Sequence, residues 1–135
     1  MSVRVRYRIE ASVSSTTAED KDLGNVVYEV VHDSAGEGGV RKTTLVAGAS
    51  DVAVGLAEVA AATFILIRTN SKDSTDTLGG IDIKKNDVGN EITEVVPLAG
   101  ETEAHMLLST QSITELYASN QGTTDVEITV MSIGD

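Results

Sequence analysis

Metal or acid–base chemistry in this chain of 135 residues would have to start from its two histidines, His32 and His105. His105 lies in "ETEAHMLLS" beside Glu101 and Glu103, and in an extended chain Glu103 and His105 share a face. A zinc site takes three or four protein ligands in fixed geometry, and this stretch offers two. A surface or half-buried strand histidine is the simpler account, and the same holds for His32 next to Asp33. Asp73 and Asp76 in "SKDSTDTLGG" have the composition of a calcium loop. Their spacing is not that of an EF-hand and no bidentate Glu closes the run, so a solvated hairpin tip is expected. "GEGG" and "LGG" carry glycines, but neither follows a strand and opens a helix with a lysine, as a phosphate loop must. Any two of the 21 acids could be drawn as a glycosidase pair. With no Trp and one Phe, little is left to stack a sugar. No G-x-S-x-G elbow serves a serine nucleophile. Cysteine is absent, which removes disulfides, thiolate catalysis and Cys-bearing zinc sites together. These residues predict neither an enzyme nor a metal or cofactor site.

One charge pattern stands apart. In "VRVRYRIEASV" (3–13), Val3, Val5, Tyr7 and Ile9 alternate with Arg4, Arg6, Arg8 and Glu10. An extended chain would put the three guanidinium groups in a row. Residues 1–8 hold three Arg and no acid, whereas the rest sets seven basic residues against all 21 acids, a formal balance of −14. Such a body repels phosphate backbones, so nucleic acid is not an expected partner. The row has two readings. Charges on an edge strand discourage edge-to-edge aggregation. Alternatively, Arg4, Arg6 and Arg8 contact an acidic partner surface, while the opposite face pins the strand to its own domain.

The elements that would position these residues are short and β-like. Hydrophobic content is 41% and β-branched rather than aromatic, which suits pleated surfaces. Period-two segments follow one another between turn clusters: 3–13, "VVYEVV" (26–31), "VRKTTLVAG" (40–48), "TFILIRT" (63–69), "IDIKKN" (81–86), "EITEVV" (91–96), "AHMLLS" (104–109), "ITELYAS" (113–119) and "DVEITVMSI" (125–133). "HDSAGEGG" reads as the flexible tip of a hairpin joining the second and third of these. In "ASDVAVGLAEVAAATFILIRTN" Val52, Leu56 and Val59 have helical spacing, but Val52, Val54 and Leu56 also alternate, and two strands are preferred. "TFILIRT", apolar on both faces, should be a central strand covered on both sides. Ile81 and Ile83 should point inward, Asp82 and Lys84 outward. Pro97, the only proline, lacks a ladder donor and belongs at a strand end. The expected core includes Phe64, Ile65, Leu66, Ile67, Val126, Ile128 and Val130. About nine or ten short strands without a long amphipathic helix predict an all-β, antiparallel β-sandwich, jelly-roll-like, in a single domain over 1–135. The longest apolar run, "FILI", neither spans a membrane nor forms a signal peptide, so synthesis in the cytoplasm without a membrane partner is expected.

The C-terminal half carries a resemblance. "TFILIRT", "IDIKK", "PLAGETEAHMLLS" and "ITELYASNQGTTDVEITV" resemble, over residues 60–133, small virion structural proteins of tailed bacteriophages. The matching positions are Leu66 to Asn70, Gly100 and Glu101, Leu116 to Ala118, and Val126 to Val130. The resemblance implies a β-sandwich that decorates the head as a cement protein, bound to the major capsid protein and to itself as a homotrimer or homodimer. Its implied location is the virion, assembled in the bacterial cytoplasm. A neck, tail or fibre-base component, and a carbohydrate- or protein-binding sandwich module, are the alternatives.

Overall fold

The structure, a computed structural model, describes residues 3–14, 22–34, 37–56, 59–71, 80–97 and 101–134. These form strands β1 (Val3–Ser14), β2 (Asp22–Ser34), β3 (Glu37–Leu45), β4 (Val52–Val54), β5 (Ala62–Ser71), β6 (Ile81–Lys85), β7 (Glu91–Val95), β8 (Glu103–Ile113), β9 (Leu116–Asn120) and β10 (Val126–Gly134), with no helix among the described residues. Every ladder is antiparallel. β1 and β2 make a two-stranded ribbon, and the other eight strands make two sheets ordered β3-β10-β5-β8 and β4-β9-β6-β7. The ladders nest: β6 pairs with β7, β5 with β8, β4 with β9 and β3 with β10, as if one long hairpin had been rolled up.

Alternation explains which face each sheet buries. Ile65 and Ile67 on β5 share a buried cluster with Val126, Ile128 and Val130 on β10 and Leu45 on β3. From the opposing sheet come Val54, Ile81, Ile83, Val95, Leu116 and Ala118. The two sheets therefore close on one core, and the fold is an antiparallel β-sandwich. β5 lies between β10 and β8, as its two-sided apolar pattern predicts. Its other face, Phe64 and Leu66, joins Ile133, Met131 and Leu107 in a second cluster. Leu66, expected in the core, is only half-buried there, because it lies on the outer face of its sheet.

The ends of the sandwich are held by polar side chains. Asn120, buried at the end of β9, donates from Nδ2 to the carbonyls of Leu45 (3.1 Å), Val46 (3.3 Å) and Thr124 (2.9 Å). Its Oδ1 accepts the Gly122 N–H at 2.9 Å. At the opposite end Asn86, with φ 61°, accepts on Oδ1 from the N–H groups of Thr114 (2.8 Å) and Glu115 (3.3 Å). That bend divides the expected 113–119 segment: Ile113 ends β8, and β9 starts at Leu116. Ser132 donates to the Leu56 carbonyl at 2.7 Å from a fully buried position. A Cβ at Gly134 would meet the Ala61 carbonyl oxygen at 2.0 Å, so the end of β10 packs against the start of β5 only as glycine.

Three local expectations are corrected. "HDSAGEGG" is not the tip of a β2–β3 hairpin: β2 pairs with β1, while Gly38 and Gly39 lie within β3, opposite Ile133 and Ser132. The turn expected between the 3–13 and 26–31 segments is already strand from Asp22. Asp82 points away from the core as expected but is buried, its carboxylate accepting a hydrogen bond from Gln121 Nε2. The 50–62 region contains β4 and the start of β5, with a turn from the Val59 N–H to the Leu56 carbonyl (3.2 Å), as the two-strand reading requires.

Core truncation separates the two faces of β5. Ile67→Ala is expected to cost about 2–5 kcal/mol and half-buried Leu66→Ala clearly less, measured by urea unfolding. Asn120→Leu leaves carbonyls and an N–H without their partner and is expected to cost at least about 2 kcal/mol in the same assay.

Candidate interaction surface

The ribbon begins with twelve residues of β1 in register with β2, from Val3 opposite Ser34 to Ser14 opposite Asp22, with one irregularity at Val13/Ser14. At the usual rise it is roughly 36 Å long. Directly opposite residues share a face. Val5, Tyr7, Ile9 and Ala11 therefore lie on one face with His32, Val30, Tyr28 and Val26, and Arg4, Arg6 and Arg8 on the other with Asp33, Val31 and Glu29. The arginines are exposed and in a row, as the alternation predicts. Arg6 Nε stands 3.7 Å from Glu29 Oε1 and Arg8 Nη2 3.1 Å from Glu10 Oε2. Exposed pairs of this kind hold about 0–1 kcal/mol each, so they bias the row without sequestering it. Arg4 also lines a shallow groove of about 210 Å³ with Gly38, Gly39, Val40, Met131, Ser132 and Ile133, where the ribbon meets the first sheet. The opposite face was expected to pin β1 to its own sandwich. The side chains of Val3, Val5, Tyr7 and Ile9 lie outside the described residues; among those described, β1 ladders only to β2 and its backbone approaches β10.

The other candidate residues are dispersed. His105 is exposed on the outer face of the first sheet, opposite Arg68. Glu103 shares its strand face, as spacing predicts, but is engaged by Arg68 and by Asn70 Nδ2 at 3.3 Å. The Arg68 hydrogen bond holds the Glu103 carboxyl below the usual carboxylate range and raises Arg68 in turn. Glu101 is exposed. No group of three or more metal-capable side chains occurs among the described residues. Asp73 and Asp76 lie outside the described residues. So does the side chain of His32, whose backbone stands opposite Val5.

Two features had no signal in the sequence because they join distant strands. On the outer face of the second sheet, Lys84 on β6 pairs with Asp51, which precedes β4 and has φ 51°. The Asp51 N–H donates to Ser119 Oγ at 2.8 Å. The Lys84 hydrogen bond lowers the Asp51 carboxyl, and the Asp51 hydrogen bond raises Lys84. At the side of the sandwich, a cleft of about 390 Å³ opens between β3 and β4/β9, lined by Arg41, Lys42, Gly55, Leu56, Glu115 and Tyr117 among others. Tyr117 donates to Glu115 at 2.8 Å, which pushes its phenol up. Arg41 lies at an inward-facing register position, opposite Val130, so the cleft holds a cation where an apolar ligand would need a hydrophobe.

Comparison of the chain with protein-family models, with curated proteins and with solved structures gave no match.

The Asp51–Lys84 pair makes a pH prediction. A lowered Asp51 contributes stability above the ordinary carboxylate range and loses it as pH falls through its folded value; a raised Lys84 loses its share as pH rises through its own. Lys84→Met is expected to lower the melting temperature near neutrality. The variant and wild-type curves should converge only once pH has fallen below the ordinary carboxylate range and through Asp51's lowered folded value. Thermal scans across pH read this directly, and a gap that persists in acid would show that the lysine acts by packing.

Proposed function

We propose that this chain is a non-enzymatic structural protein of a bacteriophage virion, a decoration or cement protein that binds the outside of the head and stabilises the shell. The observation that carries the reading is the nested strand order. β3-β10-β5-β8 facing β4-β9-β6-β7 supports a jelly-roll-like reading of the sandwich, and viral capsid domains use that architecture. The resemblance read in residues 60–133 to small virion proteins of tailed phages points the same way. The partners on this reading are the major capsid protein and other copies of the chain, as a homotrimer or homodimer, with neither nucleic acid nor membrane involved. Its place is the virion, after assembly in the cytoplasm of the host.

The mechanism needs no chemistry. A stiff sandwich bound at many equivalent sites clamps neighbouring shell subunits, and weak contacts multiply through avidity. Arg4, Arg6 and Arg8 supply an exposed cationic row for an acidic capsid surface. The long ribbon favours one second reading, a ring-forming neck, tail or fibre-base part. Copy number separates the two: hundreds per particle for the head, a single ring's worth for the neck. Lectin domains also use jelly rolls, so a carbohydrate-binding module is the third reading, and glycan-array binding would favour it.

The test is Arg4→Gln, Arg6→Gln and Arg8→Gln together, with occupancy measured on purified particles over a salt series. Wild-type attachment is expected to weaken with salt, and the triple variant to bind less and depend less on salt. Unchanged occupancy with folding intact would leave the row as an edge guard.

A further inference from the structure

We infer that the β1–β2 ribbon joins copies of this chain head to tail, β1 of one subunit pairing along its edge with β2 of the next. A two-stranded ribbon is marginally stable by itself, and three or more strands with an apolar face are needed for independent stability. Among the described residues β1 and β2 ladder only to each other, although they are 12 and 13 residues long. The sandwich, by contrast, guards several of its edges. β4 has three residues, β7 has five and is followed at once by Val96 and Pro97, and β3 carries Arg41 at an inward register position. Short strands, proline and inward charges block edge pairing outright, whereas the ribbon's outward charges oppose it only where like signs meet. The ribbon has no proline, and its one irregularity is at its far end, between Val13 and Ser14.

Charge decides which edges meet. On the face they share, β1 carries Arg4, Arg6 and Arg8, with Glu10 beyond them, and β2 carries Glu29 and Asp33. The signs are sorted by strand. Pairing β1 with β1, or β2 with β2, sets like charges side by side, which destabilises a ladder; pairing β1 with β2 sets opposite charges side by side. The inter-subunit step thus repeats the Arg6–Glu29 contact already present inside the ribbon. A heterologous contact of this kind closes into a ring where the rotation between neighbours permits, and otherwise extends as a filament.

The experiment swaps both rows in one chain: Arg4→Glu, Arg6→Glu, Arg8→Glu and Glu10→Lys with Glu29→Lys and Asp33→Lys. The ribbon keeps its internal opposite-charge pairs, so its own folding is spared, and far-ultraviolet dichroism checks the sandwich. Wild type and swapped chain, differing in tag mass, are co-expressed and read by native mass spectrometry. Each is expected to assemble with itself. Mixed complexes, which set like rows side by side, are expected at least about tenfold below statistical proportion. Statistical mixing would overturn the inference by showing that the rows do not meet. Preferential mixing would overturn it in favour of β1–β1 and β2–β2 contacts, and a wild-type chain that stays monomeric at its highest soluble concentration would remove it altogether. The measurement uses purified protein alone, so it stands or falls separately from attachment to particles.

Discussion

The constraint on which the rest of the molecule depends is the anchoring of Asn120. One buried side chain at the end of β9 reaches the last residue of β3, the residue after it, and the turn into β10. β3 and β10 belong to one sheet and β9 to the other, so these bonds fix how the two sheets meet at that end. The Asn120 N–H adds a bond to the Ala49 carbonyl at 2.8 Å, which brings the β3–β4 connection into the same knot. An amide suits the place because it presents donors and an acceptor with no charge to desolvate. Burial would be costly if any of these groups were left unmatched, and no buried side-chain nitrogen or oxygen among the described residues lacks a partner.

Between such clamps the core needs little specialisation. Ile, Val and Leu from both sheets fill it, and hydrophobic area supplies the driving force. The polar outer faces are tied by pairs that cross strands, Arg68 with Glu103 on one sheet and Asp51 with Lys84 on the other. Asp82 is covered by Gln121 from the turn after β9, so even the solvent side of the second sheet is partly closed. A body closed in this way leaves long backbone edges on β8 and on the ribbon. That division, a sealed sandwich and a paired arm with its charges sorted by strand, unites the proposed scaffold role with head-to-tail assembly.

Much of this was legible in the sequence wherever the physics is local. Side chains alternate across a strand with period two, so "DVEITVMSI" announces Val126, Ile128 and Val130 as one buried face, and "TFILIRT" announces a strand inside its sheet. Pro97 marks the end of β7 because it lacks an N–H. The candidate contact was legible in the same way: alternation alone puts Arg4, Arg6 and Arg8 in a row. Strand partners were not legible. The glycines before Val40 have the composition of a turn, yet they sit inside β3 against β10, almost a hundred residues away in sequence. Composition reports how easily a backbone bends and says nothing about which distant strand will supply its hydrogen bonds.

By itself the sequence determined the all-β class, the positions of most strands, the side each presents to the core, and an acidic body led by a cationic row. Each of these follows from forces acting between residues a few positions apart. Only the tertiary structure decided that β1 and β2 stand together outside the two sheets, that Glu29 and Glu10 answer the arginines, that Leu66 lies on the outer face, and that Asn120 and Asn86 close the two ends. Those outcomes depend on contacts between segments far apart in the chain, where many pairings satisfy the same alternation. The selection among them is made by the summed packing of the whole core and by the need to pair every buried polar group.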